Sequence, residues 1–229
     1  RVKTHLTLKI AQAALINQNA ILEEKVLERT IELKKTQLEI IDRLGMAAEY
    51  RDKETGKHIK RMSKYCRVLG QALGMSKAEY DILALASTMH DLGKIGISDT
   101  ILLKPGRLSP QERKSMMTHT EIGARLLSGS NSKLLEIAKV IAKTHHEKWD
   151  GTGYDDGLQG DKIPLFGRIV CVCDVFDALI SERPYKQAWS FEDALNEIDS
   201  GIGTFFDPEL VKLFFSLGPE IRRVMDKYK

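Results

Sequence analysis

"KTHHEKWDGTGYDDGL", residues 143–158, sets His145 beside His146 and follows them with a glycine-rich, acidic loop that holds one lysine. Two adjacent imidazoles are costly to bury, because each ring needs a hydrogen-bond partner or another ligand. The pair closes a stretch of helical periodicity at 132–147, so its partners must come from other elements. The neighbouring sequence supplies helices and no strands. Helical stretches are expected at 45–52, 56–73, 76–92, 110–127, 132–147, 167–181, 190–200 and 207–216. No segment shows the clean two-residue alternation of a half-buried strand. Ser76 with Glu79, and Ser109 with Glu112, have the capping-box spacing, and Pro110 suits a first helical position. The fold class is therefore all-α, with the paired histidines at one helix end.

Residues 1–44 contain no proline and no glycine. Leu6, Ile10, Ala13, Asn17, Ala20, Glu24, Leu27, Ile31, Lys34, Leu38 and Ile41 follow alternating steps of four and three, the heptad rhythm of a coiled coil. Eight of these eleven are apolar. A helix of this length reaches about 66 Å at 1.5 Å per residue, and its stripe needs a partner. The expected organisation is a coiled-coil linker at 1–44, which makes a homodimer, and a globular domain at 45–229.

The chain of 229 residues is 42 % hydrophobic and 29 % charged, enough to bury a sizeable core. A formal net charge of +3 is too small to argue for a nucleic-acid polymer or a membrane surface as partner. No run approaches the roughly 20 apolar residues of a membrane span, and no signal-peptide pattern opens the sequence. The start at Arg1 fits an excised piece of a longer protein. Cys66, Cys171 and Cys173 lack a framework spacing. Reduced, buried thiols in a cytoplasmic setting are expected.

Five of the six histidines lie in the globular part: His58, His90, His119, His145 and His146. His90 precedes Asp91 in "TMHDLGKIG", residues 88–96. Glu54 precedes His58 by four, which puts both on one helix face if the turn continues through Gly56. Asp174 interrupts the apolar run "VCDVFDAL", residues 172–179. Imidazoles and carboxylates gathered from separate helices suit first-row transition metals, and a structural zinc–thiolate site is disfavoured by the lack of cysteine ligands. Eight ligands exceed the needs of one tetrahedral ion. Two or three ions sharing a carboxylate would use them, with Asp91 the natural bridge.

At these residues the sequence resembles the HD-GYP family, a branch of the HD metal-dependent phosphohydrolases. The resemblance runs from about Arg51 to Lys186 through "RDKETGKH" (51–58), "HDLGKIGI" (90–97), "ILLKPGRLS" (101–109), "HTEIGARLL" (119–127), "HHEKWDGTGY" (145–154), "GLQGDKIPL" (157–165) and "DVFDALISERPYK" (174–186), in family order. It implies an HD-type helical bundle with metal ligands at Glu54, His58, His90, Asp91, His119, His145, His146 and Asp174. It implies two or three divalent ions, iron or manganese, with the glutamate at 54 permitting the third. Two such cations generate hydroxide near neutral pH and neutralise phosphoryl oxygens during in-line displacement. The implied substrate is cyclic di-GMP, hydrolysed to pGpG and on to GMP. The alternatives are 3′,3′-cyclic GMP-AMP or another nucleotide, and a non-catalytic module that senses cyclic di-GMP or docks a diguanylate cyclase.

Lys94, one helical turn after His90, is expected to aim its ammonium at a non-bridging phosphate oxygen beside the catalytic Asp91. Arg183 and Lys186 match the family's phosphate-binding positions. Tyr185 and Trp149 are candidates for stacking on a base or for packing. The family's Gly-Tyr-Pro loop reads Gly153-Tyr154-Asp155 here, which frees the backbone and restores a donor. No implied ligand is altered, so catalysis is expected to survive; the departure bears on docking and product selectivity. The N-terminal "RVKTHLTLK" and "LEEKVLERTIEL" resemble the helix that joins a receiver domain to an output domain in bacterial response regulators.

Overall fold

The computed structural model describes residues 2–51, 56–154, 156–182 and 187–228. Glu54, Asp155, Arg183, Tyr185 and Lys186 lie outside the described residues, so their expected roles stand without a geometric account.

Helices carry the described chain. In order they are α1 (Val2–Tyr50), α2 (Gly56–Ala72), α3 (Lys77–Ala86), α4 (Asp99–Leu102), α5 (Pro110–Met117), α6 (His119–Leu126), α7 (Lys133–Thr144), α8 (Leu165–Ile180), α9 (Phe191–Ser200), α10 (Pro208–Ser216) and α11 (Gly218–Lys227). No strand occurs among the described residues beyond an isolated bridge between Ile202 and Phe206. The all-α expectation holds. No helix among the described residues is long and apolar enough to cross a membrane.

Contacts divide the chain into two units, Arg1–Ile40 and Ile41–Lys229, with the division inside α1. In the first unit α1 leaves its apolar side chains in the open: Ile10, Leu27 and Ile31 are each more than 60 % exposed. A stretch expected as a separate helix at 45–52 is the continuation of α1 to Tyr50, since a single glycine at 45 does not break a helix.

In the second unit the core forms where α2, α8, α9 and α10 meet. The Phe176 ring lies 5.6 Å from Tyr65, 5.6 Å from Phe191 and 5.1 Å from Phe214, each edge to face. This is the preferred arrangement for aromatic quadrupoles. Cys66, Cys171 and Cys173 are free thiols buried in the same cluster, as expected from their apolar neighbours.

Both capping boxes form, at Ser76/Glu79 and Ser109/Glu112, with Pro110 in the first turn of α5. Two expected helices end early. The stretch 76–92 leaves α-geometry after Ala86 and tightens into a 3₁₀ turn at Ser87–Met89. There Ser87 Oγ donates to Ala84 O and Thr88 Oγ1 to Leu85 O, side-chain bonds that compete with the regular ladder. The stretch 110–127 breaks at Thr118 into α5 and α6. Helix α11 was not expected from the sequence. It buries only Ile221, although Pro219 near its start fits a first-turn position.

Candidate metal centre

Each histidine of interest sits at or near a place where helical geometry ends or changes. His90 follows the Ser87–Met89 turn, His119 opens α6, and His145 caps the C-terminus of α7. His58 and Asp174 project from within α2 and α8. Two close approaches bring these elements together. At Gly93 a Cβ would stand 1.8 Å from His119 O, so the turn after Asp91 packs backbone to backbone on α6. At Gly153 a Cβ would stand 2.4 Å from Lys148 N and 2.7 Å from His146 O. The glycine-rich loop thereby folds back on the chain it has just left, and Tyr154 N donates to His146 O at 3.2 Å.

The result is a run of five imidazoles. Ring centroids are separated by 5.6 Å for His58–His90, 5.1 Å for His90–His145, 5.5 Å for His119–His145 and 4.0 Å for His145–His146. Asp91, His119, His145 and His146 form one group whose ligand atoms lie within 4.8 Å of one another, and His58, His90 and Asp174 form a second. The seven described members of the expected ligand set are thus brought together.

The ring nitrogens are used unequally. Nδ1 of His90 donates to Ser87 O at 2.8 Å, Nδ1 of His119 to Met116 O at 2.8 Å, and Nδ1 of His145 to Ile141 O and Ala142 O at 3.1 Å. A carbonyl only accepts, so Nδ1 carries the proton and a neutral ring keeps its lone pair on Nε2. Nε2 of His90, His119 and His145, and Oδ1 of Asp91, are buried without a hydrogen-bond partner. Such orphaned atoms are rare in native interiors, and an outward Nδ1–H with an inward Nε2 is the usual dress of a metal-ligating histidine. The residues fit a cation. Asp91 faces both groups: its Oδ1 lies 3.2 Å from His119 Nε2 and 3.6 Å from His145 Nε2, and its Oδ2 lies 3.3 Å from His90 Nε2. Asp174 Oδ1 stands 3.7 Å from both His58 Nε2 and His90 Nε2.

Electrostatics follow. Burial raises the Asp91 carboxyl, but Lys94 and His90 outweigh it and hold it well below the usual carboxylate range. Burial lowers the His90 imidazole, and Asp91 and Asp174 outweigh it to leave the ring well above an ordinary histidine. Burial lowers His145, and lowers His146 further with His145 beside it, which keeps these rings neutral. Lys94 lies in the 3₁₀ turn Leu92–Gly96 rather than in an α-helix, and its Nζ reaches Asp91 Oδ2 at 2.8 Å.

Asp177, absent from the sequence reading, lies behind His58. Its Oδ2 accepts from His58 Nδ1 at 2.7 Å and from Arg61 Nη2 at 2.8 Å, while Oδ1 accepts from Arg61 Nε at 2.5 Å. Burial raises this carboxyl; Arg61 and His58 outweigh it and leave it below its ordinary value. The signal was available, since Asp177 follows Asp174 by three on one helical face. Glu147 was also missed. It is buried, and its Oε1 accepts from Asp156 N at 3.1 Å, anchoring the loop. Tyr154 stacks over His146 with centroids 4.6 Å apart. Trp149 packs under the Arg168 guanidinium, 5.6 Å from the ring.

A helical domain that gathers histidines and aspartates from several helices around two adjoining groups has the donor set that could hold metal ions. The HD-domain family model matches residues 25–210. The chain belongs to the HD-domain family. It is 44 % identical over 201 residues to the cyclic di-GMP phosphodiesterase response regulator RpfG of Xanthomonas campestris, covering 87 % of this chain and 53 % of the relative. It is 45 % identical over 183 residues to the 3′3′-cGAMP-specific phosphodiesterase 2 of Vibrio cholerae, covering 80 % of this chain and 35 % of the relative. A crystal structure of a cyclic GMP-AMP specific phosphodiesterase of V. cholerae superposes with a TM-score of 0.60 at 25 % identity, over 84 % of this chain and 50 % of that one. The chain thus spans about half or less of the length of these relatives.

Proposed function

We propose that the chain is a metal-dependent phosphodiesterase domain that hydrolyses cyclic di-GMP to pGpG, GMP or both. The observation that carries this reading is the set of inward, unpartnered Nε2 atoms on His90, His119 and His145 around a carboxylate that faces two ligand groups. His119, His145 and His146 with Asp91 Oδ1 would hold one ion. His58, His90 and Asp174 with Asp91 Oδ2 would hold another, and Glu54 is a ligand candidate for a third. Iron or manganese suits this nitrogen and oxygen set. Such ions supply a nucleophilic water of lowered pKa and charge neutralisation at phosphorus.

The chain's own groups do the rest. Asp91, which faces both ligand groups, would be shared between the ions and orient them. Lys94, fixed beside Asp91, offers its ammonium to a non-bridging phosphate oxygen as charge develops. Arg183 and Lys186 would hold the second phosphate. Tyr154 packs on the His146 ring, with centroids 4.6 Å apart. A neutral His145 and His146 suit ligation, because a protonated ring has no lone pair to give.

The relative named for cyclic GMP-AMP, at 45 % identity beside 44 % for the one named for cyclic di-GMP, supports 3′,3′-cyclic GMP-AMP as a second substrate reading. The exposed apolar seam of α1 supports a homodimer, and the response-regulator relative supports an upstream receiver domain. Free buried cysteines support a cytoplasmic setting. The test is turnover: manganese- or iron-loaded protein is given each cyclic dinucleotide and the products are separated chromatographically. Conversion of cyclic di-GMP to linear products is expected. Binding without conversion of either nucleotide would reduce the domain to a sensor.

A further inference from the structure

Arg51 follows directly on the last residue of α1, and both terminal nitrogens of its guanidinium bond to one short segment. Nη1 donates to Lys94 O at 3.3 Å and to Ile95 O at 2.6 Å. Nη2 donates to Ile97 O at 2.9 Å and to Asp99 Oδ1 at 2.6 Å. The three carbonyls close the 3₁₀ turn Leu92–Gly96, and Asp99 opens α4. Lys94 O also accepts from Ile97 N at 3.0 Å, and a cation beside the carbonyls of a helical end is favourable. The turn is held elsewhere by unequal means. Its first half packs on α6 at Gly93. Its far half meets α6 at Gly96, where a Cβ would stand 2.9 Å from Ile122 Cδ1, and carries the buried Ile97, while the Ile95 side chain is 53 % exposed.

The lysine in the middle of this turn is therefore fixed at both ends of its backbone. Lys94 N donates to Asp91 O at 2.9 Å, and Lys94 O accepts from Arg51. Its ammonium then meets Asp91 Oδ2. We propose that Arg51 is a positioning residue, which holds the Asp91–Lys94 turn at the end of α1 and so sets where the Lys94 ammonium stands. The inference rests on the reading of Lys94 as the group that meets phosphate. It makes the junction between linker helix and domain a lever on catalysis: any change in the exit of α1 moves the guanidinium, and with it the far half of the turn. A lysine at 51 would supply charge but not a planar fork able to serve three carbonyls and a carboxylate together.

The test uses the metal-loaded full chain with Arg51→Ala, Arg51→Lys, Lys94→Ala and the Arg51→Ala/Lys94→Ala double variant. Arg51→Ala is expected to lower kcat about tenfold, the scale of a modest misplacement, with ion content unchanged. Arg51→Lys should recover only part of this. In the Lys94→Ala background removal of Arg51 should cost less than about twofold, because residues acting through one another are not additive. Hydrogen exchange should report the same event without any substrate: amides of residues 92–97 should exchange about tenfold faster in Arg51→Ala, as local opening becomes easier. Unchanged exchange and kcat in Arg51→Ala would overturn the proposal, as would a full additive loss beside Lys94→Ala or a loss of ions. If the wild-type chain hydrolyses no cyclic dinucleotide, the functional reading falls, and the exchange result alone decides the role of Arg51.

Discussion

Replacing Asp177 with asparagine should separate the two ligand groups. The carboxylate is fully buried and accepts from Arg61 through two nitrogens and from His58 Nδ1. Asparagine keeps the shape but removes the charge and one acceptor. Arg61, 7 % exposed, would keep its bonds to Tyr228 O and Ser181 Oγ but lose the anion that takes two of its nitrogens. Breaking a buried pair from one side costs about 3–5 kcal/mol, which a domain of ordinary stability survives at 25 °C. His58 would lose the anion that fixes its tautomer and raises its basicity, and an outer partner of this kind is worth about 10–100-fold in metal affinity. At about 1.4 kcal/mol per tenfold, that is roughly 1.4–2.8 kcal/mol. The loss should fall on the His58–His90–Asp174 group, because the Nδ1 atoms of His119 and His145 are held by backbone carbonyls that the substitution does not touch. Denaturant unfolding of the metal-free chain gives the first number, and manganese titration followed by elemental analysis gives the second. A destabilised protein that binds every ion as tightly as the wild type would refute the reasoning, and Asp177 would then be a structural ion pair alone. Equal weakening of all ions would show that the two groups do not act separately.

Lys94→Ala should lower turnover about 10²-fold or more by removing a charge aimed at the transition state, whereas Asp155→Pro should change it less than about tenfold, under roughly 1.4 kcal/mol of barrier; both are measured at saturating metal, and the reverse order would put the loop inside the catalytic machinery. Asp177 also sets a pH dependence. Its folded pKa is depressed, so its contribution is present above the unfolded carboxyl value near about 4 and is lost as pH falls through the folded value; the acid-side loss of metal-free stability should be shallower in Asp177→Asn, and identical acid profiles would contradict the ion pair. Deleting residues 1–44 should shift the mass in light scattering from dimer to monomer at micromolar concentration while turnover partly survives, since every proposed ligand lies beyond residue 50. A wild-type chain already monomeric there would refute pairing through α1.

Much of this was legible because the features are local. A capping box occupies four residues, and histidine is scarce enough that five in one domain stand out. The ligand types were readable, but the way they are aimed was not. His119 can face Asp91 because the helix expected at 110–127 breaks at Thr118, and no proline or glycine marks that break. His90 gains its position from hydroxyl groups at Ser87 and Thr88 that tighten the end of α3, where the apolar periodicity alone predicted a regular helix on to residue 92, past the end of α3 at Ala86. Asp177 escaped notice because its importance lies in contacts with Arg61 and His58, which come from a helix more than 110 residues earlier in the chain. Arg51 opens a motif block, but its role was not readable there, because three of its partners are main-chain carbonyls and the fourth, Asp99, lies 48 residues on.

The central claim is that the converging Nε2 atoms and the two-faced Asp91 exist to hold more than one cation. The most direct measurement is elemental analysis of ions per chain, on protein loaded with manganese or iron and protected from oxidation. The account predicts at least two ions per wild-type chain, and loss of ions in Asp91→Ala with the helical spectrum largely intact. One ion or none after such loading would contradict it.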